Sequence, residues 1–189
     1  MIEMKIAING FGRIGRLVYR LMKEDDFFDV VAINDLSSSE ELAYLLRYDT
    51  NHRTYDKDIT FDEEGIIVDG KKTRVYSEMD PSNLPWGELG IDLVFECTGK
   101  FTKKEDANKH ILAGAKKVLI SAPGKGDMKT VVYNVNDDIL TSDDVIVSAA
   151  SCTTNCLAPI VKVLDDNFGI ERGFMLSLIH ISEPTRPLY

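Results

Sequence analysis

The chain has 189 residues, enough for one substantial core or for one domain and the start of a second. Its 22 basic and 31 acidic side chains give a formal charge of −9, spread without a block of one sign, which argues against nucleic acid as a partner. No signal-peptide layout opens the chain and no apolar run is long enough to span a bilayer, so a soluble cytoplasmic protein with no membrane partner is expected.

Met4 to Asn9 reads as a short apolar strand, followed at once by glycines and then by Ile14, Leu17, Val18, Leu21 and Met22 at helical spacing. Val30 to Asn34 is the next apolar run and closes a βαβ unit. Further short strands are expected at Gly65 to Val68, Arg74 to Tyr76, Asp92 to Cys97, Lys117 to Ser121, Val131 to Val135 and Val145 to Ser148, with a helix over Asp106 to Ala113. Asp69-Gly70 between two alternating runs predicts a hairpin. The fold class this gives is α/β: a Rossmann-type, doubly wound and mostly parallel sheet with a small antiparallel addition.

In "INGFGRIG", Gly10, Gly12 and Gly15 stand in G-x-G-x-x-G spacing. Gly10 permits a tight turn, Gly12 lets a pyrophosphate approach the backbone, and Gly15 lets the helix pack on the strand. Asp35 ends the second strand 20 residues after Gly15, where a carboxylate accepts from ribose hydroxyls and repels a 2′-phosphate, favouring NAD over NADP. The alternative is a ligand-free βα turn with a capping Asp.

Leu157, Ile160, Val161, Leu164 and Phe168 recur at three- and four-residue steps, predicting a helix with one buried face. Ser151 is a capping residue type, so Cys152 opens the first turn, at the positive end of the helix dipole, where a thiolate is stabilised. Position alone leaves two readings of Cys152, a nucleophile or an inert small cysteine. Cys156, beside the apolar stripe, and Cys97, ending an apolar strand, are expected to be shielded. Three cysteines without disulfide-like spacing fit a reducing compartment. Cys152 and Cys156 lack a second ligand pair, so no metal is expected.

"INGFGRIGR", "AINDL", "ECTGKFT", "GAKKVLISAP" and "SCTTNCLAPIVKVLDDNFGI" resemble phosphorylating glyceraldehyde-3-phosphate dehydrogenases, in order from about Lys5 to Met175. The resemblance implies a cytoplasmic homotetrameric enzyme of glycolysis that oxidises glyceraldehyde 3-phosphate with NAD and inorganic phosphate, its nucleophile being Cys152. It implies an NAD-binding domain over 1–151 and the beginning of a catalytic domain over 152–189. Ser151, Cys152 and Thr153 match positions that touch substrate or phosphate. Asn9, Gly10, Gly12, Arg13, Ile14, Asp35, Met79, Thr98, Gly99 and Ser121 match cofactor positions. Erythrose-4-phosphate dehydrogenase, and a module that binds NAD without catalysis, are the alternatives.

Three departures qualify the match. Met79 replaces a usual arginine near the adenine, predicting an apolar contact, and Ala149 stands where asparagine is common. After Met175 the chain reads "LSLIHISEPTRPLY", placing Ile179 at the position of the family's catalytic histidine and His180 one residue out of register. Residues 177–189 read as a tail foreign to the family, and the chain is expected to be a truncated, inactive fragment.

Overall fold

The computed structural model describes residues 3–176; Ile179, His180 and the rest of 177–189 lie outside the described residues. In chain order the elements are β1 (Met4–Asn9), α1 (Arg13–Met22), β2 (Phe28–Asn34), α2 (Ser39–Arg47), β3 (Tyr48–Asp49), β4 (Arg53–Thr54), β5 (Ile59–Asp62), β6 (Gly65–Val68), β7 (Lys71–Tyr76), α3 (Trp86–Leu89), β8 (Leu93–Glu96), α4 (Lys104–Leu112), β9 (Lys117–Ile120), β10 (Ile146–Ser148) and α5 (Cys152–Phe168). Short 3₁₀ turns fall at Pro81–Asn83 and Asp137–Ile139.

Eight strands form one sheet in the order β10-β9-β8-β1-β2-β7-β6-β5. The first six are parallel, and β7, β6 and β5 join antiparallel at the far edge. The chain leaves β1 outward in both directions, so the order reverses between β1 and β8. That reversal is where a doubly wound sheet opens a crevice at its strand C-termini.

Alternation along β1 explains why helices cover both faces. Ile6 and Ile8 point into a core with Phe11, Tyr19, Leu42, Leu46 and Ile66, under α1 and α2. Ala7 points the other way, to Trp86, Ile91, Val94, Ala107 and Val118 under α3 and α4. The hairpin between β6 and β7 turns at Asp69 (φ 49°) and Gly70 (φ 79°), the two positive-φ positions that a two-residue turn of this hand requires. The sequence reading passed over α2, although its start carries a capping box: Ser38 Oγ accepts from Glu41 N at 3.2 Å, and Glu41 reaches back to Ser38 N.

Two expectations are corrected. Val131 to Val135 is not a strand: Val131 N–H bonds to Ser148 O and Thr130 makes a lone bridge, but the chain then turns. Asn134 sits at φ 58°, and Asn136 Oδ1 accepts from Val132 N at 2.8 Å, so a side chain takes the bond that a neighbouring strand would have needed. Second, α5 forms with Ser151 as its cap, but its apolar face is not buried. Ile160 is 57% and Phe168 82% exposed, and Cys156, expected to be shielded, is exposed too. The 3.6-residue period produces the helix, while burial needs a partner surface, and none of the described residues provides one. Among the described residues no helix is long and apolar enough to cross a membrane.

Candidate dinucleotide cleft and thiol

The parallel strands β1, β2, β8, β9 and β10 all end on one edge, and the residues just past those ends build the site. Gly10 turns the chain at φ 90°; a Cβ there would lie 2.7 Å from Thr98 N and 2.9 Å from Cys97 C. Any side chain at Gly10 would therefore force β1 and β8 apart at their tips. At Gly15 an added Cβ would meet Gly10 O at 2.1 Å, so glycine is what lets α1 seat on the end of β1. Gly12 is different. Nothing lies within 4 Å of a Cβ built there, and its backbone faces open space in front of the N-terminus of α1. The first-turn N–H groups of a helix, which have no carbonyl four residues back, suit a phosphate group where they meet such an opening.

A cleft of about 550 Å³ lies at this point, lined among others by Asn9, Gly10, Gly12, Asp35, Met79 and Thr98. Six of the ten residues matched to cofactor positions thus meet around one opening. Arg13 and Ile14 are the first two residues of α1, at its edge, and Gly99 (φ 72°) lies between the lining residues Thr98 and Lys100. Ser121 follows β9, where its hydroxyl donates to Glu96 O at 3.1 Å. Met79 is 77% exposed, its thioether free to lie against a flat ring. Asp35 is also tied into the turn itself: Phe11 N–H donates to its Oδ2 at 2.7 Å and Ser37 N–H to its Oδ1 at 3.0 Å. Each carboxylate oxygen accepts one such bond, which leaves acceptor capacity for hydroxyl groups.

Asn34, Leu36, Glu78, Lys100 and Phe101 also line the cleft and were missed in the sequence. The available signal was their position just at or beyond the ends of β2, β7 and β8, where open α/β sheets bind ligands. A larger groove of about 800 Å³ runs along α2, lined by residues such as Tyr44, Tyr48 and Phe61, and a second of about 640 Å³ lies between the start of α2 and the end of β7, sharing Leu36 with the cleft.

Cys152 lies on the same edge, at the head of α5, which follows edge strand β10; β10 itself is three strand spacings from β1, or about 14 Å. Ser151 Oγ accepts from Thr154 N at 3.0 Å and contacts Thr153 Oγ1 at 2.9 Å. The preceding Ala150 is held at φ 62°, a conformation costly for a residue with a Cβ, at the turn that presents Cys152. Of the three thiols, Cys152 is exposed, Cys156 is exposed one turn along, and Cys97 is half-buried beside the cleft. Burial pushes the Cys97 thiol up to about 11, so it stays protonated near neutral pH.

A switch-point cleft under a glycine turn, with an acidic residue ending the second strand, defines a dinucleotide-binding α/β domain of the dehydrogenase type. Residues 4–104 match the family model described as glyceraldehyde 3-phosphate dehydrogenase, NAD binding domain, and residues 151–187 match that family's C-terminal domain. The chain belongs to the glyceraldehyde 3-phosphate dehydrogenase family of NAD-dependent oxidoreductases, and its cofactor is NAD. It is 55% identical over 174 residues to glyceraldehyde-3-phosphate dehydrogenase of Clostridium pasteurianum, covering 92% of this chain and 52% of that one. It is 53% identical over 185 residues to the enzyme of Chlamydia pneumoniae (97% and 55%), and 54% over 177 residues to glyceraldehyde-3-phosphate dehydrogenase 2 of Bacillus subtilis (93% and 52%). The chain spans about half the length of the curated relatives it matches.

Proposed function

We propose that the chain supplies the cofactor domain (1–151) and the nucleophile-bearing start of the catalytic domain (152–189) of a phosphorylating glyceraldehyde-3-phosphate dehydrogenase. The observation that carries this reading is the common edge on which the glycine turn, Asp35 and Cys152 all stand. Gly10, Gly12, Arg13 and Ile14 hold the pyrophosphate, Asp35 the adenosine ribose, and Met79 the adenine, while Thr98, Gly99 and Ser121 border the nicotinamide half and Asn9 orients the turn. NAD, when bound, supplies the hydride acceptor. Cys152 Sγ adds to the aldehyde carbon of glyceraldehyde 3-phosphate as a thiolate, and Ser151 and Thr153 hold the substrate or inorganic phosphate beside it. After oxidation the acyl group rests on Cys152 as a thioester, which inorganic phosphate cleaves to the acyl phosphate, 1,3-bisphosphoglycerate.

The working enzyme is proposed to be a cytoplasmic homotetramer of glycolysis. The 189-residue polypeptide by itself is proposed to be inactive, because Ile179 stands at the family's base position and His180 is one residue out of register. Loss of a general base costs about a hundred- to ten-thousand-fold in rate. The test is NADH production from glyceraldehyde 3-phosphate, NAD and phosphate, with erythrose 4-phosphate as the competing substrate. No turnover is expected from the chain alone, and turnover of glyceraldehyde 3-phosphate once a family-type catalytic segment replaces residues from Leu176. Steady turnover by the chain alone, abolished by His180→Ala, would refute the inactive reading. Preference of the joined enzyme for erythrose 4-phosphate would refute the substrate.

A further inference from the structure

Below the cleft lies a buried polar chain that the proposed chemistry leaves unused. Glu96, the last residue of β8, is 1% exposed, and His110 on α4 is fully buried. Trp86 Nε1–H donates to His110 Nδ1 at 3.0 Å, so Nδ1 is the acceptor and the ring proton sits on Nε2, which faces Glu96 Oε2 at 3.0 Å. Asn9 Nδ2 donates to the same oxygen at 2.5 Å. The other oxygen, Oε1, accepts from Thr98 N–H at 2.8 Å and from the Thr98 hydroxyl. Two donors on each oxygen fill the acceptor capacity of the carboxylate, leaving Glu96 nothing with which to touch a ligand.

The chain continues beyond Asn9. Asn34 Nδ2 donates to Asn9 Oδ1 at 2.7 Å and to Glu78 O at 2.9 Å, while Glu78 N–H donates to Asn34 Oδ1 at 2.8 Å. With an indole N–H at one end and a backbone amide at the other, the orientation of every side-chain amide between them is determined. Asn9, Asn34, Glu78 and Thr98 come from four separate segments, and all four line the cleft. Stability alone gives weak reason to bury an acid and a histidine here, since apolar groups of similar volume often serve as well or better. Holding four cleft-wall segments at fixed angles does give one.

We infer that Glu96, oriented by His110 and Trp86, is a positioning residue for the dinucleotide: it sets the geometry of Asn9 and Thr98, and through Asn9 that of Asn34 and Glu78. This rests on the cleft being the NAD site. Glu96→Gln keeps the volume but turns one oxygen into an N–H donor, which meets donors whichever way the amide is turned: Asn9 and His110 on one side, Thr98 N–H on the other. His110→Leu removes the donor to Glu96, whereas His110→Gln has an acceptor for Trp86 and a donor for Glu96. Each variant of the 189-residue chain is titrated with NADH, following its fluorescence, at a temperature where circular dichroism shows it folded. Trp86 is the only tryptophan, so the wavelength of its emission maximum follows the environment of its indole N–H at residue 110.

Glu96→Gln and His110→Leu are expected to bind NADH about tenfold or more weakly. His110→Gln is expected to bind like the parent, with the wavelength of the Trp86 emission maximum unchanged. If Glu96→Gln does not fold, the two His110 variants decide. Folded Glu96→Gln or His110→Leu binding NADH as tightly as the parent, with only its melting temperature lowered, would overturn the inference in favour of a purely structural role. Absence of NADH binding by the parent chain would instead overturn the cofactor reading, and this inference with it.

Discussion

Gly12 and Gly15 belong to one motif, yet their surroundings assign them different work, and alanine at each separates the two. At Gly12 an added methyl meets nothing within 4 Å, and the backbone (φ −70°, ψ −160°) is one that any residue adopts. Alanine is a poorer cap than glycine by up to about 1 kcal/mol. The reduced freedom of the unfolded chain returns about 0.4–1 kcal/mol. The net change is within about 0.5 kcal/mol, or about 2 °C in melting temperature for a chain of this size. At Gly15 the methyl would sit 2.1 Å from the backbone oxygen of Gly10, so α1 must lift from β1 by about an ångström to restore contact distance. Overpacking of that kind costs about 1–3 kcal/mol, against which alanine's helix propensity returns about 1 kcal/mol. Thermal melts and NADH titrations of both variants are the assay. Gly12→Ala is expected to melt like the parent and lose NADH binding, because the methyl would occupy the path proposed for the pyrophosphate. Gly15→Ala is expected to melt several degrees lower. If Gly12→Ala bound NADH like the parent, or melted as low as Gly15→Ala, the division of roles would be wrong.

Asp35→Ala removes the proposed ribose acceptor and also frees Phe11 N–H from its 2.7 Å partner, so affinity for both dinucleotides should fall while the ratio of NADP to NAD binding rises; competitive titration reads the ratio, and an unchanged ratio would remove Asp35 from cofactor choice. In iodoacetamide labelling with peptide mapping, Cys152 and Cys156 should react in the folded chain and Cys97 should not. A thiol whose folded value is raised to about 11 becomes thiolate only as pH climbs toward it, so Cys97 labelling in the folded chain should appear only at strongly alkaline pH, and ready labelling at neutral pH would contradict its burial. Ser151→Ala deletes the cap on Thr154 N–H, at about 1 kcal/mol; because α5 has no fully buried residue, the loss should stay local, read as faster amide exchange in its first turn with the melting temperature of the sheet unchanged.

What the sequence by itself determined are the features whose causes lie within a few residues of each other. The glycine spacing, the positive-φ turn at Asp69-Gly70 and the Ser151 cap depend on local backbone angles and on bonds spanning three or four positions, so residue type alone reports them. Asp35 was legible because the length of a βαβ unit fixes how far the second strand end lies from the glycine turn. Tertiary structure decided the rest. Asn9 and Glu96 are 87 residues apart and Asn9 and Asn34 25 apart, and their pairing follows from strand order and register, which no local pattern encodes. The same holds for α5, whose period announces an apolar face but not a surface to cover it, and for Val131 to Val135, where a run of strand-forming residues has only a single bridge to Ser148 and an asparagine side chain takes the next amide. Periodicity records which side of a segment is apolar, whereas burial and pairing are properties of two segments, and the second one is named only by the fold.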